Sequence, residues 1–478
     1  MLEDMGRIIH FPIKTPSSSP DKKYALLLWG VVAIAAITRL ALAFAAPRPF
    51  GYAWDLYHEG AVWTWLHGRL PLPTDCGECY HPPLVFICEA PLYALGGLRA
   101  LSWVSMFCSG VVVYYCWKTL RLLRLGDSSV LLGTTLAAVF PCLFIGSYGA
   151  ENDVVLTALL SAFFYRLCVY HLRPAGRGLR QTVVLGILAG LAALTKYSGL
   201  LALLTAGIIL LPRMLSGRRR LRTARDFAAI ASVAAVVCGW HYAGNLRRYH
   251  TLFLGPPWDT AVFDLGASKF ERNHARYDFA SFKIKEVVDL YRPENIGKLN
   301  DFPVYNSVFS SLHAQAWTDM SFFSVPSRHG WQLPVGYAQG PGSLAMITTT
   351  PANAPREAMY PRKRVSLGLI DLTLRLGLIP SLLALAGLLS SLRRRALWPF
   401  AAFAAVSSAV YTVWFLTQPS WALKTKYILF LLPVYAVYCA LGLKAAYRVD
   451  RRLGLVAAAG LVAALCVSEL YLWSFALG

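Results

Sequence analysis

The sequence predicts an all-α polytopic membrane protein. The expected architecture is a bundle of about eleven transmembrane helices, with interfacial helices in the first exterior loop and one large exterior loop. Composition is the first ground: of 478 residues, 56% are hydrophobic and 15% charged, against about a quarter charged in soluble domains. Mean hydropathy is +0.48. Apolar runs recur, many near the ~20 residues a helix needs to cross a bilayer. Short arginine-rich stretches separate them, as in loops retained on the cytoplasmic side.

The elements follow in order. Residues 1–23 are polar and basic, a cytoplasmic tail. The apolar run Tyr24–Ala46 is longer than a signal-peptide core and reads as an uncleaved first helix. Lys118–Arg124, Arg173–Arg180, Arg213–Arg225, Arg393–Arg395 and Arg448–Arg452 belong in the cytoplasm. Between two of these runs, Thr182–Leu211 is too long for one upright helix and is broken at Lys196-Tyr197-Ser198-Gly199. Two short helices keep both basic flanks inside and put Lys196 at the exterior face. Leu84–Leu98, with Pro91 and Gly96-Gly97, is interfacial or re-entrant by the same argument and leads into a span at Ala100–Trp117. Parity then places spans at 129–148, 154–170, 182–195, 198–211, 227–243, 366–390, 397–416, 427–446 and 454–475, with the carboxyl terminus outside. The chain divides into the tail, a transmembrane module (24–243) with its first exterior loop at 47–99, an exterior-loop subdomain (244–365) and carboxyl-terminal spans (366–478). An amphipathic helix is expected near Phe279–Tyr291, and no tandem repeat is evident. A net charge of +21 would point to nucleic acid in a soluble chain. Here the arginines lie between apolar spans, so the expected partner is the lipid bilayer and not nucleic acid.

The polar residues that break this pattern collect on one side. Asp55 and Glu59 follow the first span, in YAWDLYHEGAVWTWLHGRLP. The i, i+4 spacing puts them on one face of a helix. Carboxylates are costly near lipid, which points to chemistry; the alternative is a solvated loop helix. Parity adds His81 in HPPL, Glu151-Asn152-Asp153, Lys196-Tyr197, the segment His241–Arg248 and Lys424, Lys426 and Tyr427 to the same face. Each has an ordinary reading. Glu151 and Asp153 can cap a helix, the lysines can snorkel to the interface, His241 can be a packed interfacial histidine, and HPPL can be a rigid turn. All of these would have to coincide on one face. Acids and bases pooled there suit a reaction between an anionic lipid-borne group and a polar acceptor, with lysines on phosphate oxygens and a carboxylate taking a hydroxyl proton. Cys76 and Cys79, in DCGECYH, lack the second pair a zinc site needs. A local disulfide in an oxidising compartment, a metal site and no special role are the readings of that motif.

In order along the chain stand the first-loop acid, LHGRLP, HPPL, SYGAENDVVLTALL, GILAGLAALTKYSGLL, GWHYAGNLRRYHTLFLG, SVFSSLHAQAWTDMSFF and KTKYILFLLPVYAV. This series resembles the GT-C superfamily of polytopic glycosyltransferases. The branch is that of the protein O-mannosyltransferases, the bacterial lipid A aminoarabinose transferase and related bacterial sugar transferases. The resemblance implies transfer of a sugar from a polyprenyl- or dolichyl-phosphate donor, with inversion, at the exterior face of a membrane, here the bacterial inner membrane. The family's general base maps to Asp55. The glutamate that commonly follows it directly is replaced by Leu56, and the nearest glutamate is Glu59. Lys196, with Tyr197, and Lys426 match the residues that face the donor phosphate, with Arg247 and Arg248 as alternative cations. Asp153 matches the acid opening the fourth helix, beside Glu151, and His81 belongs to the same face. No cofactor is required; oxygen ligands such as Asp55 and Asp153 would suit Mg²⁺ or Mn²⁺. The acceptor is a glycolipid, a polysaccharide or a protein hydroxyl. The rival reading is a lipid-linked sugar flippase or secondary transporter. Such proteins place their sites near the midplane, on broken helices of repeated halves.

Overall fold

The computed structural model describes residues 22–45, 52–73, 75, 79–172, 178–216, 220–254, 278–292, 307–318, 366–392, 394, 397–416 and 425–477. Regular structure among them is helical, apart from one isolated bridge between Asp278 and Ser307. Eight helices among the described residues are long and apolar enough to cross a membrane. A count of about eleven rests on the shorter apolar helices as well.

The first helix, α1 (Lys22–Ala45), is followed by α2 (Tyr52–Leu66) and α3 (Leu84–Gly96). At 1.5 Å per residue α2 and α3 are about 20 Å long, short of the ~30 Å hydrocarbon core, so both suit the interface. Gly97 has φ +62° and turns the chain between α3 and α4 (Leu98–Leu122). A side chain there would be strained. The expected span 129–148 is two helices, α5 (Asp127–Ala138) and α6 (Pro141–Gly146). Pro141 explains the correction: it has no N–H to continue α5, it forces Phe140 into extended backbone, and it starts a new helix readily.

Next come α7 (Asn152–Leu172), α8 (Leu179–Thr195), a 3₁₀ turn (Tyr197–Leu200) and α9 (Leu201–Ser216). The helical break thus falls at Lys196, as the sequence implied. Helix α10 (Arg220–Tyr249) overruns the expected 227–243 at both ends. Hydropathy marks only the apolar part of a helix, and the arginine-rich flanks are good helix formers.

In the large loop, α11 (Ile284–Leu290) is shorter than the expected Phe279–Tyr291. The Asp278 carboxylate accepts from the Ala280 and Ser281 amides, a local turn that delays the helix. Ser307 caps α12 (Val308–Trp317). Much of the expected 244–365 subdomain lies outside the described residues.

The chain ends with α13 (Leu367–Ser391), α14 (Trp398–Leu416), a 3₁₀ stretch (Thr425–Leu431), α15 (Leu432–Val449) and α16 (Arg451–Leu477). Helices α7 and α15 are the most buried of the long helices, while α1, α10 and α16 turn most of their surface outward. Helices α13 and α15 approach so closely that a Cβ on Gly387 would overlap the Tyr438 carbonyl, and one on Gly442 the Leu383 carbonyl. Small residues at such crossings are what tight helix packing in lipid requires.

Candidate active site

One end of the bundle collects the start of α7, the α8–α9 break, the 3₁₀ stretch before α15, and α2 and α3. Glu151 and Asp153 flank the first residue of α7. The Lys426 ammonium donates to both Glu151 oxygens, at 3.0 and 3.2 Å. The Lys196 ammonium donates to Asp153 Oδ1 at 2.7 Å. Both cations face the Tyr427 ring, with Nζ 4.4 Å (Lys196) and 5.9 Å (Lys426) from its centroid. Lys426 is 4% exposed and Lys196 16%, so Lys426 is the more desolvated. Two lysines that composition alone could assign to snorkelling are therefore held in ion pairs, buried at Lys426 and partly buried at Lys196. Glu151 and Asp153 are likewise paired carboxylates.

Neighbouring contacts hold this end together. The Glu151 amide donates to Ser105 Oγ on α4 at 3.0 Å. The Tyr197 hydroxyl donates to the Tyr80 carbonyl at 2.8 Å and accepts from the Leu254 amide at 3.0 Å. Those bonds tie the α8–α9 break to the segment before HPPL and to the chain beyond α10. His81 is buried, its ring 4.0 Å from that of Tyr80. Gly199 packs against the backbone of Ala192 and Ala193, where a Cβ would overlap.

Glu59 accepts a 2.5 Å hydrogen bond from Tyr93 of α3. Asp55 lies one turn earlier in α2, but its side chain is outside the described ones, as are Lys424 and Cys76. Arg247 is exposed on the last turn of α10. Cys79 is buried and disulfide-bonded, whereas the eight other described cysteines form no disulfide. Among the described residues no group of three His, Cys, Asp or Glu could hold a metal ion. Glu151 and Asp153 are engaged by lysines instead.

Sequence reasoning missed one pair. His58 Nδ1 lies 2.8 Å from Glu89 Oε2, and both side chains are buried. Burial pushes the Glu89 carboxyl up, His58 pulls it back, and Glu151 pushes it up again. Glu89 thus lies within electrostatic reach of Glu151. A lone acid in the apolar run LVFICEAPLYALG was the available signal.

Residues 80–242 match the family described as dolichyl-phosphate-mannose-protein mannosyltransferase. That stretch carries His81, Glu89, Glu151, Asp153, Lys196 and Tyr197. Among solved structures, the chain is similar to the archaeal oligosaccharyltransferase AglB from Archaeoglobus fulgidus, in complex with an inhibitory peptide and a dolichol-phosphate. Identity is 14% and the TM-score 0.53, over 95% of this chain and 56% of that one. A second similar structure is the S. cerevisiae protein O-mannosyltransferase Pmt1-Pmt2 complex bound to the sugar donor, at 18% identity and TM-score 0.38, over 49% of this chain and 36% of that one. A third is ArnT from Cupriavidus metallidurans bound to undecaprenyl phosphate, at 15% identity and TM-score 0.38, over 90% and 81%. The chain spans 36% of the yeast protein's length and 56% of the archaeal one's. No curated protein matches it. The fold shared with AglB bears out the expected all-helical membrane architecture.

Proposed function

We propose that this end of the bundle transfers a sugar from a polyprenyl-phosphate donor to an acceptor hydroxyl at the exterior face of the bacterial inner membrane, with inversion. The observation that carries the reading is the two ion pairs gathered on the Tyr427 ring, the partly buried Lys196–Asp153 and the buried Lys426–Glu151. Taking an ammonium out of water is costly unless a counter-charge partners it, and here each lysine has a carboxylate. An ammonium has three N–H donors, and Asp153 takes one from Lys196. The others can reach phosphate oxygens.

In the proposed reaction the acceptor oxygen attacks the anomeric carbon as Asp55 takes its proton. The bond from that carbon to the phosphate oxygen breaks, and polyprenyl phosphate leaves carrying one more negative charge than the phosphodiester it came from. Lys196 and Lys426 are placed to stabilise this developing charge. A single displacement inverts the anomeric centre. Glu59, held by Tyr93, and His81 would shape the acceptor side, with Arg247 a supplementary cation for the donor. The disulfide at Cys79 accords with an oxidising exterior compartment. Glycolipid, polysaccharide and protein hydroxyls are all candidate acceptors. Magnesium or manganese on Asp55 and Asp153 is a separate proposal, tested by chelation and add-back.

The test uses purified protein with polyprenyl-phosphate donors labelled in the sugar. Acceptor-dependent release of polyprenyl phosphate is expected from the parent and not from Asp55→Asn. Movement of intact labelled donor across proteoliposomes, with no bond cleaved, would make the chain a flippase instead.

A further inference from the structure

A cavity lies at the other end of the bundle. His171, near the end of α7, lines it, roughly 27 Å along that helix from Asp153 at 1.5 Å per residue. The cavity measures about 490 Å³ and sits where α7, α9, α13, α14 and α15 meet. The basic loops assign this end to the cytoplasm.

Its lining is amphipathic. Arg394 is exposed and has no carboxylate partner among the described residues. Tyr438, buried at 4% exposure, points its hydroxyl to the neighbourhood of Ser391 without a close hydrogen bond. The Ser391 hydroxyl is itself committed to the Leu388 carbonyl at 2.8 Å. A second guanidinium, that of Arg213, stands alongside and donates to the His171 carbonyl at 3.0 Å. No Asp or Glu lines the cavity. Leu392 and Trp398, 65% and 45% exposed, form an apolar rim.

We infer that this cavity binds the phosphate headgroup of an anionic phospholipid from the cytoplasmic leaflet. The phosphodiester oxygens accept from the Arg394 guanidinium and the Tyr438 hydroxyl, and the acyl chains run over Leu392 and Trp398. Among the described residues the Tyr438 phenol has no acceptor and the Arg394 guanidinium no carboxylate partner, which leaves both with donors to offer an anion. The apolar rim needs the hydrocarbon that a free phosphate ion lacks. This is a site for a structural lipid, separate from the donor site at the opposite end, and it holds whether or not the sugar-transfer reading does.

The test is native mass spectrometry of the full chain released from nanodiscs holding equal phosphatidylcholine and phosphatidylglycerol. The parent should retain phosphatidylglycerol preferentially. Arg394→Ala should cut that retention about fivefold, the weight of one basic residue at an anionic lipid surface. Tyr438→Phe, which removes a single oxygen, should give a smaller cut in the same direction. Arg452→Ala, a basic residue outside the cavity, should leave retention as in the parent. If Arg394→Ala and Tyr438→Phe both retain parental phosphatidylglycerol, the site is refuted. Displacement of the lipid by millimolar inorganic phosphate would also overturn the assignment, since the occupant would then be the free ion.

Discussion

Glu151 and Asp153 stand two residues apart at the head of α7, yet each serves a different lysine. Removing one member of a buried pair strands the other, at a cost of about 3–5 kcal/mol. Lys426→Ala should therefore lower both Tm and donor turnover, while Lys196→Ala, at a wetter position, should act more on turnover than on Tm. Both should exceed Lys424→Ala, since Lys424 stands in the polar stretch TQPSWALKTK, where the sequence predicts screening by water and salt. Donor titrations that leave kcat and KM unchanged in Lys196→Ala would reduce that lysine to an interfacial anchor. Asp55→Asn is expected to cut transfer by about two to four orders of magnitude with donor binding kept. Activity within about threefold of the parent would remove Asp55 from the mechanism. For the pair the sequence did not disclose, Glu89→Gln should keep a hydrogen bond to His58 and stay near parental Tm. Glu89→Ala should lose about 1–3 kcal/mol by leaving the buried imidazole without that acceptor. Equal Tm values for the two variants would show that the bond contributes nothing. Lysines and acids in short loops were legible because charge is scarce there. Glu89 was not, because its apolar neighbours read as an ordinary buried helix.

At the scale of elements, the break between α8 and α9 decides whether Lys196 reaches the site. Flanking basic runs implied it, and the extended backbone at Lys196 followed by a 3₁₀ turn realises it. A membrane-impermeant thiol reagent should label Ser198→Cys and miss Ser216→Cys. Labelling of Ser216→Cys alone would invert the topology and take Lys196 out of an exterior site. Other boundaries were less legible. Pro141 was in plain view, but an apolar run on both sides of it disguised two helices as one span. The ends of α10 were hidden for the opposite reason, since polar helical turns leave no trace in hydropathy. Asp278 shortened α11 through a local turn that no periodicity records.

For the molecule as a whole, the proposed function puts donor and acceptor chemistry at one end of the bundle, and the inference above puts a lipid anchor at the other. Cells lacking this chain should lose one sugar modification of an envelope glycolipid, polysaccharide or protein. Mass spectrometry of envelope glycans with and without it would identify sugar and acceptor together. An unchanged glycan profile, with lipid-linked sugar accumulating on one leaflet, would favour transport over transfer.

Composition and spacing alone determined that this chain lives in a bilayer, that its helices break at Lys196, and that its unusual charges gather at one end. Those properties are written in local sequence, because hydrophobic length and basic flanks act on each segment separately. Only the tertiary structure decided the partners: Lys196 with Asp153, 43 residues away, Lys426 with Glu151, 275 residues away, and His58 with Glu89. A charge taken out of water must find a counter-charge within a few ångströms. Which one it finds depends on how helices from distant parts of the chain pack, and no spacing along the sequence encodes that distance.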